Sequence, residues 1–263
     1  MKTPMVKSLL TLAAACAVGA ATANAALVTY SKGDLLMGFQ ATSGTGSSTV
    51  YVVNLGAASN YRDDVNTGTV SIGDIGTDLA AIYGANWNTR NDLFWGIIGT
   101  SSNISSETVN GDIGRVLYVS QPQVTTGDAG VGPAGLNATQ RGDVANKVVA
   151  MGGTFDNYQS TGNSSVAASE GSGDANSWNS YLAPGGVNSG GGVLDYGAFS
   201  QIEGTTSQTL SLFRVFSATS SSSFEGQFSL SSNGTLTFVP EPTSAALAGL
   251  GTVLLVFRRR RSA

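Results

Sequence analysis

The chain has no histidine and only one cysteine, Cys16, among its 263 residues. Without histidine, Ser-His-Asp and Cys-His catalysis are excluded, and zinc and haem sites lose their usual ligands. A single cysteine excludes an intrachain disulfide, so stability has to come from an apolar core or from bound ions. Charge is scarce as well. Acidic and basic residues together make up 11% of the chain, against 35 glycines, and this profile fits extracellular β-proteins with many tight turns. No G-x-S-x-G or S-x-x-K pattern is present, so serine nucleophiles of those types are also absent.

Both ends carry address signals. Lys2 and Lys7 form a charged start, residues 9–21 an apolar core, and Ala23-Asn24-Ala25 a small-x-small cleavage site. A signal peptide over 1–25 is therefore expected, with Ala26 as the new N-terminus and signal peptidase as the first partner. A lipoprotein signal at Cys16 fits poorly, because no leucine stands three residues before it and the apolar stretch is too short. At the other end, Val239-Pro240-Glu241-Pro242 runs into an apolar stretch over 245–257 that stops at Arg258, Arg259, Arg260 and Arg261. As a helix, residues 243–257 extend roughly 22 Å. A bilayer core is about 30 Å thick, so crossing needs thinning or arginine stems that reach the headgroups. The four arginines hold that end in the cytoplasm and leave the body outside.

This order of tripeptide, short apolar segment and basic stop resembles the PEP-CTERM sorting tail of Gram-negative envelope proteins. The resemblance implies recognition of Pro240, Glu241 and Pro242 by an exosortase, loss of the membrane tail, and delivery to the cell surface or an exopolysaccharide (biofilm) matrix. A looser likeness to a recurring kind of PEP-CTERM protein lies in Gly-Asp-Leu-Leu-x-Gly-Phe over 33–39 and Val-Asn-Leu-Gly over 53–56. No activity travels with it.

The body, 26–238, reads as one all-β domain of β-sandwich or jelly-roll type, followed by the tail over 239–263. Its core strands stand out by pattern. Leu35, Met37, Phe39 and Ala41 alternate, with Leu36 on the other side, and residues 50–55 form a continuous run that predicts burial on both faces. Residues 93–98, 115–119 and 210–216 follow in the same style. For the last hairpin, a three-residue loop Ser232-Asn233-Gly234 sets Leu230 opposite Leu236 and Phe228 opposite Phe238, which keeps one apolar face. Helices are expected to be short and few: one around Leu79, Ile82 and Tyr83 capped by Thr77, one at Trp178, Tyr181 and Leu182, and a weak one through Val144, Val148 and Met151. The Gly/Ser/Asn-rich stretch 152–192 reads as a long excursion or surface loop.

Between Ala26 and Val239 stand seven basic and 16 acidic residues, a net charge of −9. That balance argues against nucleic acid and anionic lipid as partners of the body. Gly130 to Gly135 matches G-x-G-x-x-G but lacks a βαβ context, so it reads as a loop. Two carboxylates alone can run glycoside hydrolysis. The available acids, Asp63 with Asp64, Glu203 and Glu225, are expected to be solvated surface groups. Calcium is the one cofactor left open, through Asp74, Asp78 and Asp112, although capping and turn roles explain these aspartates too. Trp87, Trp178 and Tyr181 are candidate ligand contacts for a sugar-binding face, whereas Trp95 reads as core. The sequence thus favours a non-enzymatic surface or matrix protein, with a lectin-like module as the alternative and a glycan-active enzyme behind it.

Overall fold

A computed structural model describes residues 25–63, 65–183, 187–188, 202–216 and 222–241. Along the chain the elements are β1 (Asp34–Ala41), β2 (Thr49–Ala57), α1 (Ser59–Arg62), β3 (Gly68–Thr69), α2 (Ile75–Tyr83), a 3₁₀ turn (Trp87–Thr89), β4 (Leu93–Thr100), β5 (Thr108–Val109), β6 (Asp112–Ile113), β7 (Leu117–Pro122), α3 (Ala138–Phe155), β8 (Ala167–Gly171), α4 (Trp178–Tyr181), β9 (Leu182–Ala183), β10 (Val187–Asn188), β11 (Glu203–Thr205), β12 (Leu210–Val215), β13 (Ser223–Leu230) and β14 (Leu236–Pro240). Ten of these strands form one antiparallel sheet in the order β3-β14-β13-β12-β7-β4-β1-β2-β8. The tenth, β11, pairs with β4 over Phe94 to Gly96, while β7 pairs with its other end over Ile98 to Thr100.

The fold is mostly β, as expected, and among the described residues it is carried by one large antiparallel sheet that is buried on both faces. Leu35, Met37, Phe39, Tyr51, Val53, Trp95 and Ile97 enter one core. Their strand neighbours Leu36, Val50, Val52, Ile98 and Val119 enter a second core on the opposite side. The continuous apolar runs follow from that arrangement, since successive side chains point to opposite faces and both faces need apolar cover.

The two covers differ. Over the first core lie α1, α2 and the strip leading into α2, through Tyr61, Val70, Ile72, Ile75, Leu79 and Tyr83. That strip bridges the two edges of the sheet. Val70 N–H donates to the Leu236 carbonyl on β14 (2.9 Å), and Asp74 N–H donates to the Asn163 carbonyl just ahead of β8 (3.0 Å). The sheet therefore curls around this core, and Tyr61 packs against Phe228 and Phe238 with ring centroids 5.1 Å apart. Asp74, rather than Thr77, caps α2: its carboxylate accepts from Thr77 N–H at 3.1 Å.

Over the second core lies α3, an 18-residue helix and far from short. Asn137 and Gln140 form a reciprocal capping box at its start, and Val144, Ala145, Val148, Met151 and Phe155 make its buried face. Arg141-Gly142-Asp143 lies within this helix. The stretch read as a long excursion supplies β8, which forms five register pairs with β2, as well as α4. The final hairpin has the expected register, Phe228 opposite Phe238 and Leu230 opposite Leu236. Gly234 sits at φ +85°, the left-handed position a three-residue loop requires.

Candidate functional site

The segments expected to carry export and sorting signals are described only in part. Ala25 and Ala26 are exposed. From Ala26 the chain docks on the segment that follows α3: its carbonyl accepts from Ser160 N–H (2.7 Å), and Val28 N–H donates to the Tyr158 carbonyl (3.1 Å). At the other end β14 extends two residues past Phe238, so Pro240 is part of the sheet, in register with Gly226. Glu241 N–H donates to the Glu225 carbonyl at 3.2 Å, and the Glu241 side chain is exposed. Ala23, Pro242, the apolar segment 245–257 and Arg258 to Arg261 lie outside the described residues. Among the described residues no helix is long and apolar enough to cross a membrane.

A second cluster gathers around Trp178 on the second face of the sheet. Gly38 on β1 and Gly96 on β4 are register partners, and together they open a slot in the sheet surface. A Cβ on Gly38 would stand 2.2 Å from the indole of Trp178, and one on Gly96 would stand 2.9 Å from Glu203 Cγ. The indole N–H donates to Glu203 Oε1 (2.6 Å), which also accepts from Gln40 Nε2 (2.8 Å). Trp178 backbone N–H reaches Glu170 Oε2 at 3.3 Å. All four side chains, Gln40, Glu170, Trp178 and Glu203, are buried. Burial pushes the Glu170 carboxyl up to about 7, with the nearby Asp174 charge adding to the rise and the Trp178 amide opposing it.

The expected solvated acids therefore separate. Glu203 is fully buried and Glu225 is half-buried, with burial raising the Glu225 carboxyl. Asp63 is exposed and paired with Arg62, whose guanidinium lowers its pKa, and Asp64 lies outside the described residues. Two interior glycines in apolar runs were the available sequence signal for the slot, because glycine inside a strand marks close approach by another group.

The calcium candidates already have protein partners. Asp74 caps α2. Asp78 is buried and accepts from Tyr51 OH (2.7 Å), Thr161 Oγ1 (2.5 Å) and Asn163 Nδ2 (2.7 Å). Asp112 is buried beneath Arg62 (3.0 Å) and Arg214, and accepts from Tyr118 OH. Among the described residues no three acidic side chains gather into a metal-sized group.

The ligand-contact candidates divide as well. Trp87 and Trp178 are buried and, like Trp95, present no ring face to solvent. Tyr181 is half-buried, with its hydroxyl on Asn176 Oδ1 and Lys147 Nζ 5.8 Å from its ring centroid. Tyr196 lies outside the described residues. A groove of about 430 Å³ runs between residues 69–74 and the 233–236 turn, lined by Val70, Ile72 and Leu236 together with hydroxyl-bearing residues, Asp74 and Asn233. No protein-family model, curated protein or solved structure matches the chain.

Proposed function

We propose that this chain is an exported cell-surface or extracellular-matrix protein of structural role, addressed by a PEP-CTERM-type tail. Signal peptidase releases it at Ala26, and an exosortase reads Pro240, Glu241 and Pro242 while the apolar segment and its arginine stop hold the inner membrane. Removal of the tail breaks one peptide bond and passes the new acyl end to water or to an acceptor amine, with the nucleophile supplied by the partner enzyme.

The observation that carries the reading is the position of the first two residues of the tripeptide: β14, paired with β13, delivers Pro240 and an exposed Glu241 to the rim of the sheet, beyond the last core residue, Phe238. The chemistry of the body supports a structural role. Its buried acids are engaged by protein donors, and its tryptophans face the two cores. A sugar-stacking platform or an open carboxylate pair, which the lectin-like and glycan-active alternatives need, finds no support in those positions. The two-sheet sandwich gives way in this reading to one curled sheet closed by the α2 strip. Exopolysaccharide remains the proposed surrounding matrix.

Intact mass of the protein recovered from surface and secreted fractions of its native host tests the reading. The expected mass begins at Ala26 and ends near Pro240, and Glu241→Ala is expected to accumulate with its tail attached. A parent mass that retains Arg258 to Arg261, or a Glu241→Ala variant processed like the parent, overturns it.

A further inference from the structure

The sheet continues into the tripeptide. In the β13–β14 ladder the backbone bond from Ser231 N–H to the Thr235 carbonyl and the bond from Glu241 N–H to the Glu225 carbonyl share one register, in which Gln227 faces Val239 and Gly226 faces Pro240. Alternate pairs in an antiparallel ladder exchange hydrogen bonds, so Glu241 occupies the last such rung. The other side of β14 behaves differently. There β3 pairs only with Thr237 and Phe238, and the next outward-facing position belongs to Pro240. Proline has no N–H to offer a further strand, which is why it is tolerated at a sheet edge and why pairing on that side stops. Opposite the rung, β13 carries a register shift against β12, with Gly226 paired to Leu212 and Phe224 to Phe213, so that Glu225 is the extra residue. Glu241 thus stands opposite a bulge, held by β13 on one side and, among the described residues, by no strand on the other.

We propose that this terminal rung is a folding-dependent latch on the sorting signal. With the 225/241 rung closed, the Glu241 amide and the extended backbone around Pro240 are engaged by β13, and the sorting enzyme gains the whole tripeptide only when the end of β14 frays. Completion of the domain and processing of the tail are thereby coupled. This inference rests on the sorting reading above and adds a rate to it.

The test moves the tripeptide off the sheet. A Gly-Ser-Gly-Ser insertion between Val239 and Pro240 keeps Phe238 and the 227/239 pair and carries Pro240 and Glu241 beyond reach of Glu225. Pulse-chase of the full chain in its native host, read by loss of the tail mass, compares parent, insertion and insertion with Glu241→Ala. Tail loss in the insertion variant is expected to be about five-fold faster than in the parent, the factor that corresponds to one net hydrogen bond of about 1 kcal/mol. An equal rate or a slower one, with Glu241→Ala still blocking processing, overturns the latch and leaves the sorting reading standing. Retention of the tail in parent and insertion alike overturns the sorting reading itself. Circular dichroism of the secreted insertion variant, expected to match the parent, separates faster processing from misfolding.

Discussion

Asp112 and Glu170 are both buried acids near one end of a short strand, and the protein neutralises them in opposite ways. Asp112 lies between two guanidinium groups, Arg62 and Arg214, under the hydroxyl of Tyr118. Glu170 faces a backbone amide and an acidic neighbour, and among the described residues no basic side chain pairs with it. The difference reflects composition. The body carries seven basic residues against 16 acidic ones, and Asp78 and Glu170, buried as Asp112 is, accept from neutral donors. Arginine suits the Asp112 site, since its forked donors serve several acceptors together. Arg62 meets Asp63, Asp112 and the Asn110 carbonyl at the same time.

The contrast is tested first where the effect is largest. Asp112→Ala leaves two partly buried arginines facing each other, and breaking a buried pair in this way costs about 3 kcal/mol or more. Urea unfolding should show that loss for Asp112→Ala and nearly the same for Asp112→Asn, which keeps the volume and removes the charge. A loss below about 1 kcal/mol, the range of exposed ion pairs, would mean that Asp63 and Glu225 neutralise the arginines without Asp112.

Glu170 predicts the opposite sign. Its carboxyl loses its proton near 4.5 in the unfolded chain and near 7 in the fold. Between those values the native state binds more protons than the unfolded one, so stability is present at low pH and drains away as pH rises through 7. The shift corresponds to roughly 3 kcal/mol at most. Glu170→Gln removes the titration, so its stability relative to the parent should rise between pH 5 and pH 8, as measured by unfolding at both. Parallel pH profiles for parent and variant would show that Glu170 is ionised and solvated throughout.

How much of this was legible in the sequence depends on the range of the interaction. The register of the last hairpin followed from residues a few positions apart, since only one loop length keeps Phe228 and Phe238 on a common face. The alternation in β1 and the run in β2 were equally local, and they reported burial on both faces without telling a single sheet covered by helices from two packed sheets. Asn137 and Gln140 stood at capping-box spacing, a signal that outweighs the cost of Gly142 inside α3. The Ala-Ala-Ser-Glu-Gly segment of β8 lacks the β-branched and aromatic residues that mark strands, and it is a strand because β2 offers it an edge. Glu203 read as solvated because acids usually are, and its burial depends on a tryptophan 25 residues away. Of the proposed sorting tripeptide, Pro240 was legible as extended backbone. Its place within the sheet was not, because that depends on how far β13 runs alongside β14.

The Trp178 slot gives the smallest and sharpest test of the comparison, because it asks how far the buried Glu203 depends on the indole donor beside it. Trp178→Phe keeps an aromatic ring over Gly38 and Gly96 and deletes the N–H that donates to Glu203 Oε1. Leaving a buried acceptor short of a donor costs about 2 kcal/mol, though part of the measured loss will come from the smaller ring. A double-mutant cycle with Glu203→Leu separates the two contributions, since the packing change is common to both backgrounds while the hydrogen bond exists in only one. A coupling of about 1 kcal/mol or more is expected. Zero coupling would mean that the glycine slot alone positions Trp178, and that Glu203 is stabilised by Gln40 and its other neighbours without help from the indole.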